Sequence, residues 1–141
     1  MKLPLPLFLK SIQEKKIYFF RDTSFGVSKH MHICLKVNGN VLYFMCCTTK
    51  YKTIERFLQK QNIDYSTIVH IAKDPTNCFD ETDTYINCNS VYECTSSDFA
   101  KAYIKDQISF VGEVSENHYY QILKGIHNSP MVAEFIKESL D

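Results

Sequence analysis

Polar residues that could move protons and bind phosphate stand at the two ends of one apolar stretch. Residues 29–50 read KHMHICLKVNGNVLYFMCCTTK, with His30 and His32 near the start and Thr48 and Thr49 near the end. Histidine can take or give a proton near neutral pH because its unperturbed pKa is about 6.5. A threonine hydroxyl can donate a hydrogen bond to a phosphate oxygen. These residue types together suit proton transfer at a phosphate group.

The pattern of this stretch predicts a β-hairpin. Residues 30–37 and 41–48 are rich in β-branched, aromatic and sulfur-containing side chains, and Asn38-Gly39-Asn40 between them is a turn signal. Residues two apart on a strand point to the same face, so His30 and His32 would share a face. Both polar ends would then meet at the open end of the hairpin. The histidines would be a proton-transfer pair, a proton-transfer group beside a phosphate-binding group, or a polar strand end that faces water.

The overall charge gives no sign of general nucleic-acid binding. The 16 basic and 16 acidic residues cancel, and the isoelectric point is about 6.9. A protein that binds nucleic acid non-specifically is usually basic. Positive charge is nevertheless concentrated locally, because Lys29 and Lys50 flank the open end of the predicted hairpin. They would either bind an anionic substrate or be ordinary solvated lysines.

The cysteines do not suggest disulfides or a metal site. No secretory signal or membrane-spanning run is evident, which favours reduced thiols in the cytoplasm. No C-x-x-C or H-x₃-H spacing occurs, so we expect no bound metal or other cofactor. A catalytic thiol near the histidines remains an alternative, although an apolar run would raise its pKa. The six cysteines are Cys34, Cys46, Cys47, Cys78, Cys88 and Cys94.

The remaining pattern predicts one α+β domain over residues 1–141. Besides the hairpin, strands are predicted at 17–20, 68–72, 90–93 and 108–114, and helices near 54–61, 97–104 and 115–126 and after Pro130. Residues 73–89 are predicted to be a long turn-rich connection. Short strands with inserted helices are typical of a small antiparallel barrel or a strongly bent sheet.

Four segments in this order resemble the MazF/PemK-type toxins. VLYFMCCTTK resembles the family strand that ends in threonines, and KHMHICLKV stands where the family has an Arg-Pro-apolar strand. NSVYE resembles its serine-led strand, and ISFVGEVSENHYYQILKGI resembles the closing segment before the C-terminal helix. The resemblance implies a small antiparallel SH3-like β-barrel with an inserted helix and C-terminal helices. Residues of about 51–75 would be an insertion.

The resemblance also implies a function and a set of site residues. The family cleaves single-stranded RNA without a metal, acts in the cytoplasm, is usually a homodimer and is silenced by a small antitoxin protein. His30 stands at the position of the catalytic arginine, and Met31 replaces the proline that follows it. Thr48 or Thr49 would be the family threonine, and both are predicted to be catalytic.

Substrate binding is predicted for Lys29, His32, Lys50 and Ser90, of which Ser90 matches the family serine. Four aromatic residues could also stack on bases: Tyr43, Phe44, Tyr85 and Tyr92. The alternative reading is a non-catalytic SH3-like barrel that binds a protein partner. The missing arginine and the near-zero net charge favour that alternative.

Overall fold

The computed structural model describes residues 2–20 and 30–141. Seven strands lie in this part of the chain: β1 (Lys16–Phe20), β2 (His30–Asn38), β3 (Val41–Thr48), β4 (Ile68–Ile71), β5 (Thr84–Asn87), β6 (Tyr92–Thr95) and β7 (Ile108–Glu113). Five α-helices accompany them: α1 (Leu5–Ser11), α2 (Tyr51–Gln61), α3 (Ser96–Ile104), α4 (Glu116–Asn128) and α5 (Glu134–Ser139), with a 3₁₀ turn at Tyr65–Thr67. None of the helices within the described ranges has the length and apolarity needed to cross a membrane.

The strands form one antiparallel sheet in the order β4-β5-β3-β2-β1-β7. Strand β3 changes its partner along its length, because Val41 to Phe44 pair with β6 and Cys47 and Thr48 pair with β5. Among the described strands β4 and β7 are the two ends of the path, and no pairing joins them. The predicted α+β class is confirmed, and the sheet of the described residues is open.

The predicted hairpin is confirmed as β2 and β3. Asn38 pairs with Val41, so the turn consists of Gly39 and Asn40 alone. Gly39 has a φ of 60°, a left-handed conformation that glycine adopts without steric cost. Further along, the register shifts between Cys34 and Lys36, and it ends with His32 opposite Cys46.

Each face of the sheet is covered by its own hydrophobic core. On one face, Tyr18 and Phe44 pack against Phe99 of α3, with ring centroids 5.5 and 5.3 Å away. We call this cluster the aromatic core; helices α1 and α3 cover it, and Phe8 of α1 belongs to it. Aromatic pairs in such arrangements contribute about 0.5–1.5 kcal/mol each beyond their buried area.

The aliphatic core fills the opposite face. Ile33 and Met45 of the hairpin and Ile86 of β5 pack with Ile122 and Ile126 of α4, and all five are fully buried. The two isoleucines of α4 are four residues apart, so they lie one above the other on the same side of the helix. As predicted, Ser115 begins this helix: its hydroxyl accepts a hydrogen bond from the backbone N–H of His118 at 3.1 Å.

One helix was not predicted, and three predicted elements differ from the structure. Residues 5–11 form α1, which tolerates Pro6 because this residue lies in the first turn, where its missing N–H has no helical partner anyway. The supposed connection 73–89 contains strand β5, and the strand predicted at 90–93 begins two residues later as β6. The helix predicted from residue 97 begins at Ser96 as α3, and the Thr95 hydroxyl caps it by accepting a hydrogen bond from the N–H of Asp98.

Gly125 of α4 gives a test of how tightly the aliphatic core is packed. A Cβ at this position would lie 2.7 Å from Sγ and 3.0 Å from Cβ of Cys88, which is fully buried. Gly125→Ala should therefore lower the free energy of unfolding by about 1–3 kcal/mol, although alanine normally stabilises a helix relative to glycine. Urea denaturation measures the change.

A compensating variant makes that result specific. Cys88→Ala removes the sulfur that the new methyl group would meet, so the double variant should recover part of the loss. If the free energy of unfolding of the double variant equals that expected from adding the two single changes, the Cys88 contact is not the cause.

Candidate functional site

A row of polar and aromatic side chains crosses the sheet at the open end of the hairpin. Thr48 of β3 pairs with Tyr85 of β5, and Tyr85 pairs with His70 of β4. Their chain neighbours Cys47, Ile86 and Val69 all belong to the aliphatic core. Because successive side chains of a strand alternate between faces, the row lies on the opposite face of the sheet.

His30 continues this row on β2. The last β2–β3 pair is His32 with Cys46, and His30 and Thr48 each lie two residues further toward the same end. His30 and Thr48 therefore lie on the face of the row at the same end of the hairpin, beyond its last paired residues. His30 and Thr48 are both partly exposed. The sequence prediction that these two residues share the open end of one hairpin agrees with this register.

The two threonines differ in their surroundings. The Thr48 hydroxyl accepts a hydrogen bond from the backbone N–H of Lys50 at 3.1 Å, which holds the turn into α2. The hydroxyl hydrogen of Thr48 can still be donated to another group. Thr49 is exposed, and its carbonyl accepts from the N–H of Tyr51 at 3.2 Å. Lys50 is exposed at the same turn, whereas Lys29 lies outside the described residues.

His32 is not a solvent-facing partner of His30. Its side chain is fully buried and stacks on Phe20, with ring centroids 4.1 Å apart and planes inclined by 13°. Its Nδ1 donates to the His30 carbonyl at 3.1 Å, while Nε2 has no hydrogen-bond partner among the described atoms. Burial lowers the pKa of His32 to about 4, so the ring is neutral at neutral pH. The predicted substrate contact by His32 is incompatible with this buried position.

Ser90 is not a member of the row either. It is exposed in the turn between β5 and β6, and its N–H donates to the Asn87 carbonyl at 3.4 Å. Two of the aromatic residues proposed for base stacking, Tyr43 and Phe44, are buried in the two cores. Tyr85 is partly exposed and in the row.

The structure adds three residues that sequence analysis missed: Tyr51, His70 and Asp83. The Tyr85 ring lies 4.8 Å from the His70 ring, nearly parallel at 11°, and 4.8 Å from the Tyr51 ring at 50°. Asp83 holds the imidazole, with Oδ2 2.9 Å from Nε2 of His70. The only sequence signal for His70 is a histidine between the apolar residues of a short strand.

Asp83 is itself held by the backbone. Its Oδ1 accepts a hydrogen bond from the N–H of Lys73 at 2.9 Å. This bond, and then the one with His70, lower the pKa of Asp83. The carboxylate is thus charged at neutral pH and fixes the orientation of His70, which in turn supports one face of Tyr85.

Two hollows adjoin the Tyr51–Tyr85 ring pair. We call the first the polar hollow; it measures about 370 Å³ and is lined by Thr49, Tyr51, Lys73, Glu81, Thr82, Asp83 and Tyr85. The second, the aromatic hollow, measures about 360 Å³ and is lined by Tyr51, Tyr65, Ile68, His70 and Tyr85. The ring pair is the boundary that the two hollows share.

The thiols near the row are poor nucleophiles. Burial raises the pKa of Cys46 to about 11 and that of Cys47 well above its usual range. A thiolate, which is the reactive form, is therefore scarce at neutral pH. Within the described ranges, no three His, Cys, Asp or Glu side chains are grouped so as to hold a metal ion.

The sequence matches no protein-family model, and a search of curated proteins gives no significant match.

The buried His32 should make the protein sensitive to acid. Its folded-state pKa of about 4 lies below the value of 6.5 in an unfolded chain, so the unfolded state binds a proton first. The part of the stability that depends on neutral His32 is fully present above pH 6.5. As the pH falls toward 4, the free energy of unfolding decreases by about 2–3 kcal/mol. In His32→Phe, which keeps a ring against Phe20, this part of the loss should be absent. Urea denaturation at several pH values compares the two proteins. If the free energy of unfolding fell equally steeply with decreasing pH in both, His32 would not be the cause of the acid sensitivity.

Proposed function

We propose that this protein binds single-stranded RNA and cleaves it without a metal, on the sheet face that carries His30, Thr48, Tyr85 and His70. The supporting observation is that His30 begins β2 and Thr48 ends β3 at the open end of one hairpin, and that Thr48 pairs with the partly exposed Tyr85. These are the groups needed for proton transfer, phosphate binding and base stacking.

The chemistry assigned to this face is attack by the ribose 2′-hydroxyl. His30 takes the 2′-hydroxyl proton, the 2′-oxygen forms a bond to phosphorus, and the bond to the 5′-oxygen breaks. The 5′-oxygen leaves with a proton delivered by the protonated imidazole or by water, giving a 2′,3′-cyclic phosphate and a 5′-hydroxyl. Thr48 and Thr49 donate hydrogen bonds to the phosphate oxygens. Lys50, together with Lys29, supplies positive charge to the phosphorane.

The family relationship and the biological setting are part of the same proposal. The confirmed hairpin, the antiparallel sheet and the helix that follows β7 agree in order with the four segments that resemble MazF/PemK-type toxins. On this reading the sheet corresponds to an SH3-like barrel, and α2 and β4 lie in the insertion of residues 51–75. The protein would act in the cytoplasm as one half of a toxin–antitoxin pair, as a homodimer that a small antitoxin protein inhibits.

A second candidate function is protein binding through β7. Among the described strands β7 ends the strand order, and its Phe110 and Val111 are 52% and 38% exposed. Exposed apolar side chains on a strand at the end of a sheet are typical of a surface that binds another protein. A protein of this kind would show no ribonuclease activity.

Cleavage of a long single-stranded RNA in the presence of EDTA tests the leading proposal. The wild type should cleave the RNA, and His30→Ala should be about 10²–10⁴-fold slower because it lacks the proton-transfer group. His127→Ala, on the exposed surface of α4, is the matched control and should cleave at the wild-type rate. Absence of cleavage by the folded wild type, or full activity of His30→Ala, would overturn the proposal.

A further inference from the structure

The Tyr51–Tyr85 ring pair lines both hollows, and both hollows open to solvent. We propose that these hollows bind two successive unpaired bases of the RNA, with guanine in the polar hollow. This inference deepens the proposed function, on which the choice of RNA as the ligand rests. It names the part of the substrate that each hollow takes.

The aromatic hollow suits a stacked base of any kind. It is lined by three tyrosine rings and the His70 imidazole, and Tyr65 is 50% exposed. Its volume of about 360 Å³ falls within the range of roughly 300–1,000 Å³ typical of small-molecule sites. Every base has a π-face, so stacking on such rings is sequence-tolerant.

The rings are held in place before any ligand binds. Asp83 fixes His70 through Nε2, and the nearly parallel His70 ring supports one side of Tyr85. Asp83 is fixed in turn by the N–H of Lys73. A stacking surface that is already ordered loses little conformational entropy when a base binds.

The polar hollow is lined by charged side chains in addition to aromatic rings. It carries the carboxylates of Glu81 and Asp83 with one ammonium group, that of Lys73. Two carboxylates would repel a phosphate, so the part of the nucleotide that enters is the base edge. Each Asp83 oxygen already accepts an N–H, from Lys73 or from His70, which makes Glu81 the carboxylate most available to a ligand.

Guanine fits a carboxylate better than the other bases do. Its Watson–Crick edge presents the N1–H and N2–H donors side by side, and the two oxygens of a carboxylate can accept both. Unpaired bases in RNA are commonly read on this edge. Uracil offers one N–H there, between two carbonyl oxygens that a carboxylate would repel.

The position of the polar hollow agrees with the proposed cleavage site. Thr49 lines the hollow and follows Thr48 directly in the chain. A nucleotide whose base occupies the hollow would thus place its phosphate beside the threonines and Lys50. The guanine is therefore adjacent to the bond that His30 would help to break.

Binding can be measured apart from cleavage with an oligonucleotide that lacks the attacking hydroxyl. Fluorescence anisotropy with 2′-O-methyl octamers, one of uridines only and one with a single central guanosine, gives the affinity of each variant. Tyr51→Leu and Tyr85→Leu should bind the guanosine octamer about 10-fold more weakly or worse, because each loses a stacking ring. Tyr85→Phe keeps the ring and should bind like the wild type, which separates loss of stacking from misfolding.

Two further variants test the base assignment. Glu81→Gln should lose most of the preference for the guanosine octamer while its affinity for the uridine octamer stays within about twofold. Tyr120→Leu is the matched control, since Tyr120 is 64% exposed on α4 and lines neither hollow. It should bind both octamers as the wild type does.

The outcomes separate this inference from the proposed function. Wild-type affinity in both leucine variants would overturn the stacking subsites even if the protein cleaves RNA. An unchanged guanosine preference in Glu81→Gln would overturn the guanine assignment. Ring-dependent binding by a wild type that cleaves no unmodified RNA would support the subsites and refute the ribonuclease. A wild type that binds neither octamer would overturn the subsites.

Discussion

Burial on both faces of β3 is the constraint on which the rest of the structure depends. Tyr43, Met45 and Cys47 belong to the aliphatic core, whereas Leu42 and Phe44 belong to the aromatic core. A slip of one residue against β2 would exchange the two sets and turn Thr48 toward the aliphatic core. The register that packs the two cores is therefore also what places Thr48 on the face of the row.

The two cores cover β3 unequally, and this difference creates the exposed site. The aliphatic core extends under the whole strand to Cys47, and α4 covers it. The aromatic core, covered by α1 and α3, extends along the first half of β3, where β6 is the neighbouring strand. Beyond Cys46 the neighbour is β5, so the outer face of Thr48 and Tyr85 lies past the covered region.

His32 marks the boundary between the covered and the uncovered parts of that face. It is fully buried against Phe20, while His30, two residues earlier on the same face, is partly exposed. The two side chains therefore differ in exposure, although both are histidines on the same face of the sheet. His32 is a neutral ring in the core, and its Nδ1 donates a hydrogen bond to the backbone carbonyl of His30. Of the two, only His30 is in contact with solvent.

Local patterns predicted the elements that depend on local interactions. The hairpin follows from its alternating apolar residues and from the glycine turn, and α4 follows from its Ser115 cap and the spacing of Ile122 and Ile126. The strand β5 was missed because TYIN is short and follows a segment rich in turn residues. Helix α1 was not predicted, because Pro4 and Pro6 interrupt the apolar pattern of the first ten residues.

The candidate site could be predicted only in part, for a similar reason. His30 and Thr48 are joined by one hairpin, so sequence spacing alone places them at one end. His70 and Asp83 are 13 residues apart and meet through the pairing of β4 with β5, which no local pattern specifies. The burial of His32 likewise depends on Phe20, which comes from another strand.

The charge distribution indicates how such a site would hold RNA. Proteins that bind nucleic acid mainly through phosphate contacts carry many lysines and arginines at the interface. Here the net charge is zero, and the polar hollow has two carboxylates beside one lysine. Lys50, which follows Thr49 directly, is the lysine that would contact a phosphate group beside the row. Most of the affinity would then come from bases that stack on the rings of Tyr51, Tyr85 and His70, and this contribution is only weakly screened by salt. Phosphate contacts would serve to position the strand against His30 and Thr48 rather than to bind it tightly.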